Sequence, residues 1–219
     1  MLRGDGVGVV PWLVSGSLMA TLLVLGTRNP KKLQELQEIL ADLPVELADL
    51  NRFPDAPEVI EDGKKFEDNA RKKATELSKA LNHWVLAEDS GLVVSALKGE
   101  PGVYSARYAG KQGDDAANNA LLLQKLSGQP PELCAAYYIC VAALSDPQGR
   151  GVGTTEGRCH GRIISEYRGG GGFGYDPLFL IPEYHQTFGE LSSRVKHALS
   201  HRAKALERMR PMLRDNLLR

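Results

Sequence analysis

The chain has 219 residues, 42% of them hydrophobic, with 27 Lys and Arg set against 27 Asp and Glu. That length supplies a core for one large α/β domain or two small lobes. The balanced charge excludes a global field drawing the chain to nucleic acid or membrane, so any anion site has to be a local cluster of cations.

Residues 1–18 read as a non-essential N-terminal extension, with residues 19–219 as a single domain and Met19 as a natural start. Arg3 is offset by Asp5, which does not make the basic region of a secretory signal. Pro11, Ser15, Gly16 and Ser17 break the apolar run too often for a membrane span. The three cysteines, Cys134, Cys140 and Cys159, are odd in number and lack metal spacing, so they read as reduced cytoplasmic thiols.

A strand is expected at 21–25, then a helix over 31–41 with Leu33, Leu36, Ile39 and Leu40 on one face. Asn29 suits the N-cap, and Pro30 the first helical position, where its missing N–H is harmless. The loop before this helix holds Thr27, Arg28, Asn29 and Pro30, with Lys31 and Lys32 following. A helix start with free N–H groups, a hydroxyl and two cations suits phosphate oxygens. Plain capping by Asn29, with the lysines as a solvated face, accounts for the same residues. The Walker spacing is absent.

A second helix is expected over 64–81, with Phe66, Ala70, Ala74, Leu77 and Leu81 on one face. Glu67 and Asp68 complement its dipole. Glu61 lies ahead of the helix and is free to reach a metal. Asn69 and Lys73 are four residues apart and share a helical face.

The apolar strand 84–87 then runs into Glu88 and Asp89, followed by a turn at Ser90-Gly91. Two adjacent carboxylates at a strand end repel unless a cation or proton relieves them. With no His or Cys cluster nearby, the cation is expected to be Mg²⁺. Asp-Ser-Gly is also ordinary turn chemistry. Further strands are expected at 92–97, 135–144 and 151–159, with a closing helix over 200–209 that Pro211 ends. The fold class is α/β with a mixed sheet, since 135–144 and 151–159 are consecutive strands.

Between them and the closing helix lies 169–177, with five glycines in the six residues from Gly169 to Gly174. Backbone shape matters in such a run, or the loop is mobile. Phe173 and Tyr175 either pack on a planar base, beside Gly174 and Asp176, or anchor the loop to the core. Lys196, His201 and Arg202 add donors near the last helix.

Taken in order, Thr27-x-Asn29-x-x-Lys32, Phe66-x-x-Asn69-Ala70, Asp89-Ser90-Gly91-Leu92, the run 101–108 (Pro-Gly-Val-Tyr-Ser-Ala-Arg-Tyr), Gly172-Phe-Gly-Tyr-Asp-Pro177 and Ser200-His-Arg202 form an ordered set. With it the chain resembles the Ham1-like inosine/xanthosine triphosphate pyrophosphatases, over 21 to about 210. The resemblance implies an elongated two-lobed fold with a central active-site cleft and a homodimer; the cysteines and the balanced charge are read as those of a cytoplasmic protein that binds neither nucleic acid nor membrane. It implies Mg²⁺-dependent hydrolysis of ITP, dITP and XTP to the monophosphate and pyrophosphate, clearing deaminated bases from the nucleotide pool.

By position, Thr27 to Lys32 and Lys73 would meet the triphosphate. Glu61 and Asp89 would bind Mg²⁺, with Asp89 activating water and Glu88 in support. Ser90, Phe173, Gly174, Tyr175, Asp176, Lys196, His201 and Arg202 would meet the substrate, with His201 or Arg202 donating to O6 of the base. Two residues depart from the family pattern: Asp68 replaces a common Glu, and Glu88 a common Asp. A pyrophosphatase of other base preference, or a non-catalytic nucleotide-binding regulator, remains an alternative.

Overall fold

A computed structural model of the protein describes residues 20–218, so the extension assigned to 1–18 lies outside the described residues. In chain order the elements are β1 (Leu22–Leu25), α1 (Pro30–Leu40), β2 (Glu46–Asp49), α2 (Phe66–Leu81), β3 (Trp84–Val94), α3 (Asp115–Leu126), β4 (Ala135–Ser145), β5 (Gly151–Ile163), β6 (Phe179–Ile181), β7 (Gln186–Thr187), α4 (Ser193–Leu199) and α5 (His201–Leu217). The strands form one seven-stranded sheet in the order β2-β1-β3-β4-β5-β6-β7. β1 runs parallel to β2 and β3, and the remaining neighbours are antiparallel, which bears out the mixed α/β expectation.

Alternation along the strands sorts the core between the two faces of the sheet. On one face, Leu23, Leu25, Leu86, Cys140 and Ala142 pack against Leu36 and Leu40 of α1 and Leu206, Met209 and Leu213 of α5. On the other, Val24, Val85, Ala87, Val141 and Ala143 meet Ala70, Ala74 and Leu77 of α2. A third cluster at the far end of the long strands joins Leu92, Leu122, Tyr138, Phe179 and Phe188.

Three boundaries differ most from the sequence reading, the simplest being β5, which runs on to Ile163 where the strand is expected to end at 159. The segment 84–87 does not end in a turn. β3 continues through Glu88, Asp89, Ser90 and Gly91 to Val94, paired along its length with β4, and Ser95–Leu97 is a 3₁₀ turn rather than strand. Gly91 is there for close approach, not to break the strand: a Cβ on it would lie 2.4 Å from Ser105 Oγ and 2.6 Å from the Gly102 carbonyl. Likewise, α5 does not stop at Pro211 but runs to Leu217. Leu213 and Leu217 are buried against the core, and that burial outweighs the hydrogen bond proline removes. The short elements β2, β6, β7 and α4, together with α3, carry too little periodic signal to be read from sequence.

Candidate active site

β1 pairs with β3 only as far as Leu86, and the chain then turns away through Gly26 and Thr27 into α1. Beyond that point the β1-side edge of β3 opens where Glu88, Asp89 and Ser90 stand. Because successive strand residues alternate, the adjacent carboxylates face opposite sides of the sheet. Glu88 lies with α1 and α5; Asp89 lies with α2. Each therefore finds its own partners.

Glu88 is buried and receives Lys32 at 2.7 Å, Arg202 at 3.2 Å and the Cys140 thiol at 2.9 Å. Burial alone would raise its pKa, but the Arg202 and Lys32 charges hold the carboxyl well below its ordinary range. Arg202 is enclosed, also donates to Ser90 Oγ at 3.1 Å, and pairs with Glu35 of α1. Glu35 in turn accepts from Lys196 at 2.8 Å, and Lys196 donates to Asp176 at 2.7 Å. The result is one buried row of alternating charge, Lys32, Glu88, Arg202, Glu35, Lys196 and Asp176, running from the start of α1 to the glycine loop.

On the α2 side, Asn69 bridges two segments. Its Nδ2 donates to Asp89 at 2.9 Å, and its Oδ1 accepts from the Gly63 N–H at 2.8 Å. One turn later Lys73 pairs with Glu61 at 3.0 Å, so the shared face expected for Asn69 and Lys73 turns both toward the 61–63 segment. Burial, with the Glu61 charge adding to it, outweighs Lys73 and Lys32, so the Asp89 pKa lies above the ordinary range.

At the start of α1, Asn29 Oδ1 accepts from the N–H groups of Lys31 at 3.0 Å and Lys32 at 3.2 Å, and Thr27 Oγ1 accepts from Asn29. Capping is thus realised, yet Lys32 is no solvated surface residue, since it turns inward to Glu88. Lys31 is exposed. Arg28 donates to the Ala56 carbonyl at 2.7 Å and takes no part in the charge row. Pro30 opens the helix as expected.

Asp176 folds the glycine loop by accepting from the Phe173 N–H at 2.8 Å, while Tyr175 donates its hydroxyl to the Ser105 carbonyl at 2.8 Å. The Phe173 ring lies 4.9 Å from the Lys196 ammonium and 5.9 Å from the Arg202 guanidinium. His201 stacks on Tyr138 with centroids 4.8 Å apart. Burial, then the Arg202 charge, keeps its pKa well below the usual imidazole range, so it is neutral at pH 7. His201 Nδ1 and Arg202 Nε are buried without a protein partner.

Of the sequence-expected residues, Lys32, Ser90, Asp176, Lys196 and Arg202 thus gather with Glu88 on one face of β3, and Glu61 and Lys73 with Asp89 on the other, whereas Arg28 goes to Ala56, Lys31 is exposed and Tyr175 anchors its loop to Ser105. Glu35, central to the charge row, is not among them; the available signal is its position three residues after Lys32 on the same helical face. Cys140, which reads in the sequence only as a thiol, sits directly behind Glu88.

Comparison with known proteins gives a consistent result. The Ham1 family model matches residues 23–212. A dITP/XTP pyrophosphatase of Rhodopirellula baltica is 56% identical over 191 residues, covering 87% of this chain and 92% of the relative. One from Desulforamulus reducens is 50% identical, covering 87% and 94%. Among solved structures, a HAM1 protein from Coxiella burnetii superposes with a TM-score of 0.80 at 37% identity, over 89% of this chain and 99% of that one. A nucleoside-triphosphatase/dITP/XTP pyrophosphatase from Mycobacterium abscessus superposes with a TM-score of 0.71 at 45% identity, over 88% and 100%. With 190 consecutive residues under the family model and half or more of the aligned positions shared with the first two enzymes, the chain belongs to the Ham1 family.

Proposed function

We propose that the protein is a nucleoside triphosphate pyrophosphatase that hydrolyses deaminated purine nucleotides, ITP, dITP and XTP, to the monophosphate and pyrophosphate. The observation that carries this reading is the convergence on one stretch of β3 of a buried carboxylate of raised pKa, Asp89, with a second carboxylate, Glu61, and the cations Lys32 and Lys73. The dITP/XTP pyrophosphatase names of the relatives support it.

Mg²⁺ fits the residues present. Among the described residues no group of three His, Cys, Asp or Glu side chains gathers as a complete protein cage. Magnesium at phosphate sites needs only one or two carboxylates, the rest of its shell coming from phosphate and water. Glu61 and Asp89 would hold it, and once bound it neutralises phosphate charge. Glu88, committed to Lys32 and Arg202, supports from the opposite face of β3.

In the proposed step Asp89 accepts a proton from the attacking water as oxygen bonds to the α-phosphorus. The bond to the β-phosphate bridging oxygen breaks, and Lys32 and Lys73 balance the charge of the departing pyrophosphate. Asn69 holds Asp89 in orientation. Thr27, Asn29 and Lys31 meet the triphosphate at the start of α1. Ser90 lies between the phosphates and the base. Phe173 stacks the base, with Gly174, Tyr175 and Asp176 shaping the loop. Inosine and xanthosine bases carry an acceptor at O6 where adenine carries a donor, so buried donors are left unpaired by adenine. His201 and Arg202, each with an unpartnered buried nitrogen, suit that role, with Lys196 beside them.

Cytoplasmic clearance of the free nucleotide pool by a homodimer, with no nucleic-acid or membrane partner, belongs to the same proposal. Among the described residues no helix is long and apolar enough to cross a membrane.

The test is pyrophosphate release from ITP, XTP, GTP and ATP with Mg²⁺, for wild type and Asp89→Asn. Selective turnover of the first two is expected, with kcat reduced about 10²-fold or more in the variant, as for loss of a general base. Turnover of none with binding retained would favour a regulator. Turnover surviving in Asp89→Asn would remove the proposed base.

A further inference from the structure

We propose that Asp115 and Asn119, one turn apart on α3, are positioning residues for the Phe173 loop: together they grip both backbone groups of Gly174. The inference rests on the reading that Phe173 stacks the base of a purine nucleotide. Asp115 Oδ2 accepts from the Gly174 N–H at 2.9 Å, and Asn119 Nδ2 donates to the Gly174 carbonyl at 3.0 Å. Residues four apart on a helix share a face, so one rigid element presents an acceptor and a donor to the N–H and C=O of a single residue.

Gly174 has φ +62°, a left-handed conformation that favours glycine, and a Cβ there would meet nothing within 4 Å. No side chain anchors this residue. Its backbone orientation is set through its N–H and C=O, and both go to α3. On the preceding residue, the Phe173 N–H is held by Asp176. The peptides on both sides of Phe173 are thus fixed from different elements, which sets where its ring stands against the Lys196, Lys31 and Arg202 head groups at 4.9, 5.8 and 5.9 Å.

Two blander explanations fall short. Asp115 stands in the first turn of α3, where an acid complements the helix dipole, but dipole complementation does not direct it onto a glycine 59 residues away. Asn119 is buried with its Oδ1 unpartnered, so an apolar residue would suit that site better if packing were its purpose. Asp115 also lies 3.8 Å from the Lys31 ammonium, joining the start of α1 to the same anchor.

The experiment compares Asn119→Ala, Asp115→Ala and Asp115→Asn with wild type. It measures kcat and KM for ITP, the inhibition constant of inorganic triphosphate, which lacks a base, and amide hydrogen exchange over 172–176. Both alanine variants are expected to raise KM about tenfold, with kcat and the triphosphate constant within about twofold, and to speed exchange at Gly174. Asp115→Asn keeps an acceptor for the Gly174 N–H and is expected to recover most of the loss. An unchanged KM and unchanged exchange would overturn the proposal, as would a triphosphate constant rising in step with KM. If wild type fails to turn over ITP, the base reading fails, and the exchange measurement still judges the clamp.

Discussion

Asn69 links two parts of the site that sequence alone leaves separate. Through one amide it ties the loop carrying Glu61 to the Asp89 carboxylate. Asn69 is the side chain that donates to this buried carboxylate; the other oxygen accepts only the Ser90 N–H, at 2.9 Å, which belongs to the strand itself and does not tie Asp89 to α2. Asn69→Ala is therefore expected to lower kcat by about 10- to 100-fold and to weaken Mg²⁺ activation, the range seen when partners of metal-binding groups are removed. A kcat within about twofold of wild type, measured across a Mg²⁺ titration, would show that Asp89 is held by something else. The i, i+4 spacing makes the shared face of Asn69 and Lys73 legible in the sequence. The reach of Asn69 to Gly63 is not legible there, because the contact depends on how the 57–63 loop folds back, and loops carry no periodic signal. The opposite facing of Glu88 and Asp89 is hidden for a related reason: a turn at Ser90 would place both at one strand end, whereas a continued strand separates them.

At the scale of elements, the long apolar segments are readable and the polar ones mislead. Helices at 30–40 and 66–81 match their apolar periodicity to within two residues. β3 reads too short because Glu-Asp-Ser-Gly looks like a turn, and only the ion pairs behind Glu88 and the amide behind Asp89 make such residues tolerable in a buried strand. α5 reads as ending at Pro211 by a rule that holds for isolated helices. Here Leu213 and Leu217 continue the apolar face of Leu206 and Met209, so tertiary burial carries the helix past the proline. Pro211 itself is exposed. Pro211→Ala is thus expected to stabilise the protein by about 1–3 kcal/mol, restoring a hydrogen bond and relieving the ring's clash, less the gain in unfolded-state entropy. Leu213→Ala is expected to destabilise it by about 2–5 kcal/mol. Urea unfolding of both variants checks the pair; a Pro211→Ala protein less stable than wild type would mean that the proline is shaping the last turns.

The charge row gives the whole molecule a pH response of defined sign. The Glu35 carboxyl is raised by burial but lowered more by Arg202 and Lys196, so its folded pKa lies below its ordinary value of 4.5. Glu88 behaves the same way with Arg202 and Lys32. A depressed carboxylate binds fewer protons folded than unfolded, so it adds stability that is fully present above pH 4.5 and is lost as pH falls through the folded value. Asp89 has the opposite sign: its raised pKa lets the folded state take up a proton first, so mild acid gains stability there. Opening the row by Glu35→Gln leaves Arg202 and Lys196 buried with fewer counter-charges, at a loss of about 3 kcal/mol or more at pH 7. Because α1, β3, α5 and the glycine loop each contribute a member, that loss should appear as a shift of the single global transition. The gap between wild type and variant is expected to narrow steadily as pH is lowered below 4.5, since protonation of Glu35 removes in the wild type what the substitution removed in the variant. Urea midpoints from pH 7 down to the acid limit of folding measure it. A gap constant with pH would mean that Glu35 stabilises by packing alone, and that the row is not what couples α1, β3 and α5 to the glycine loop.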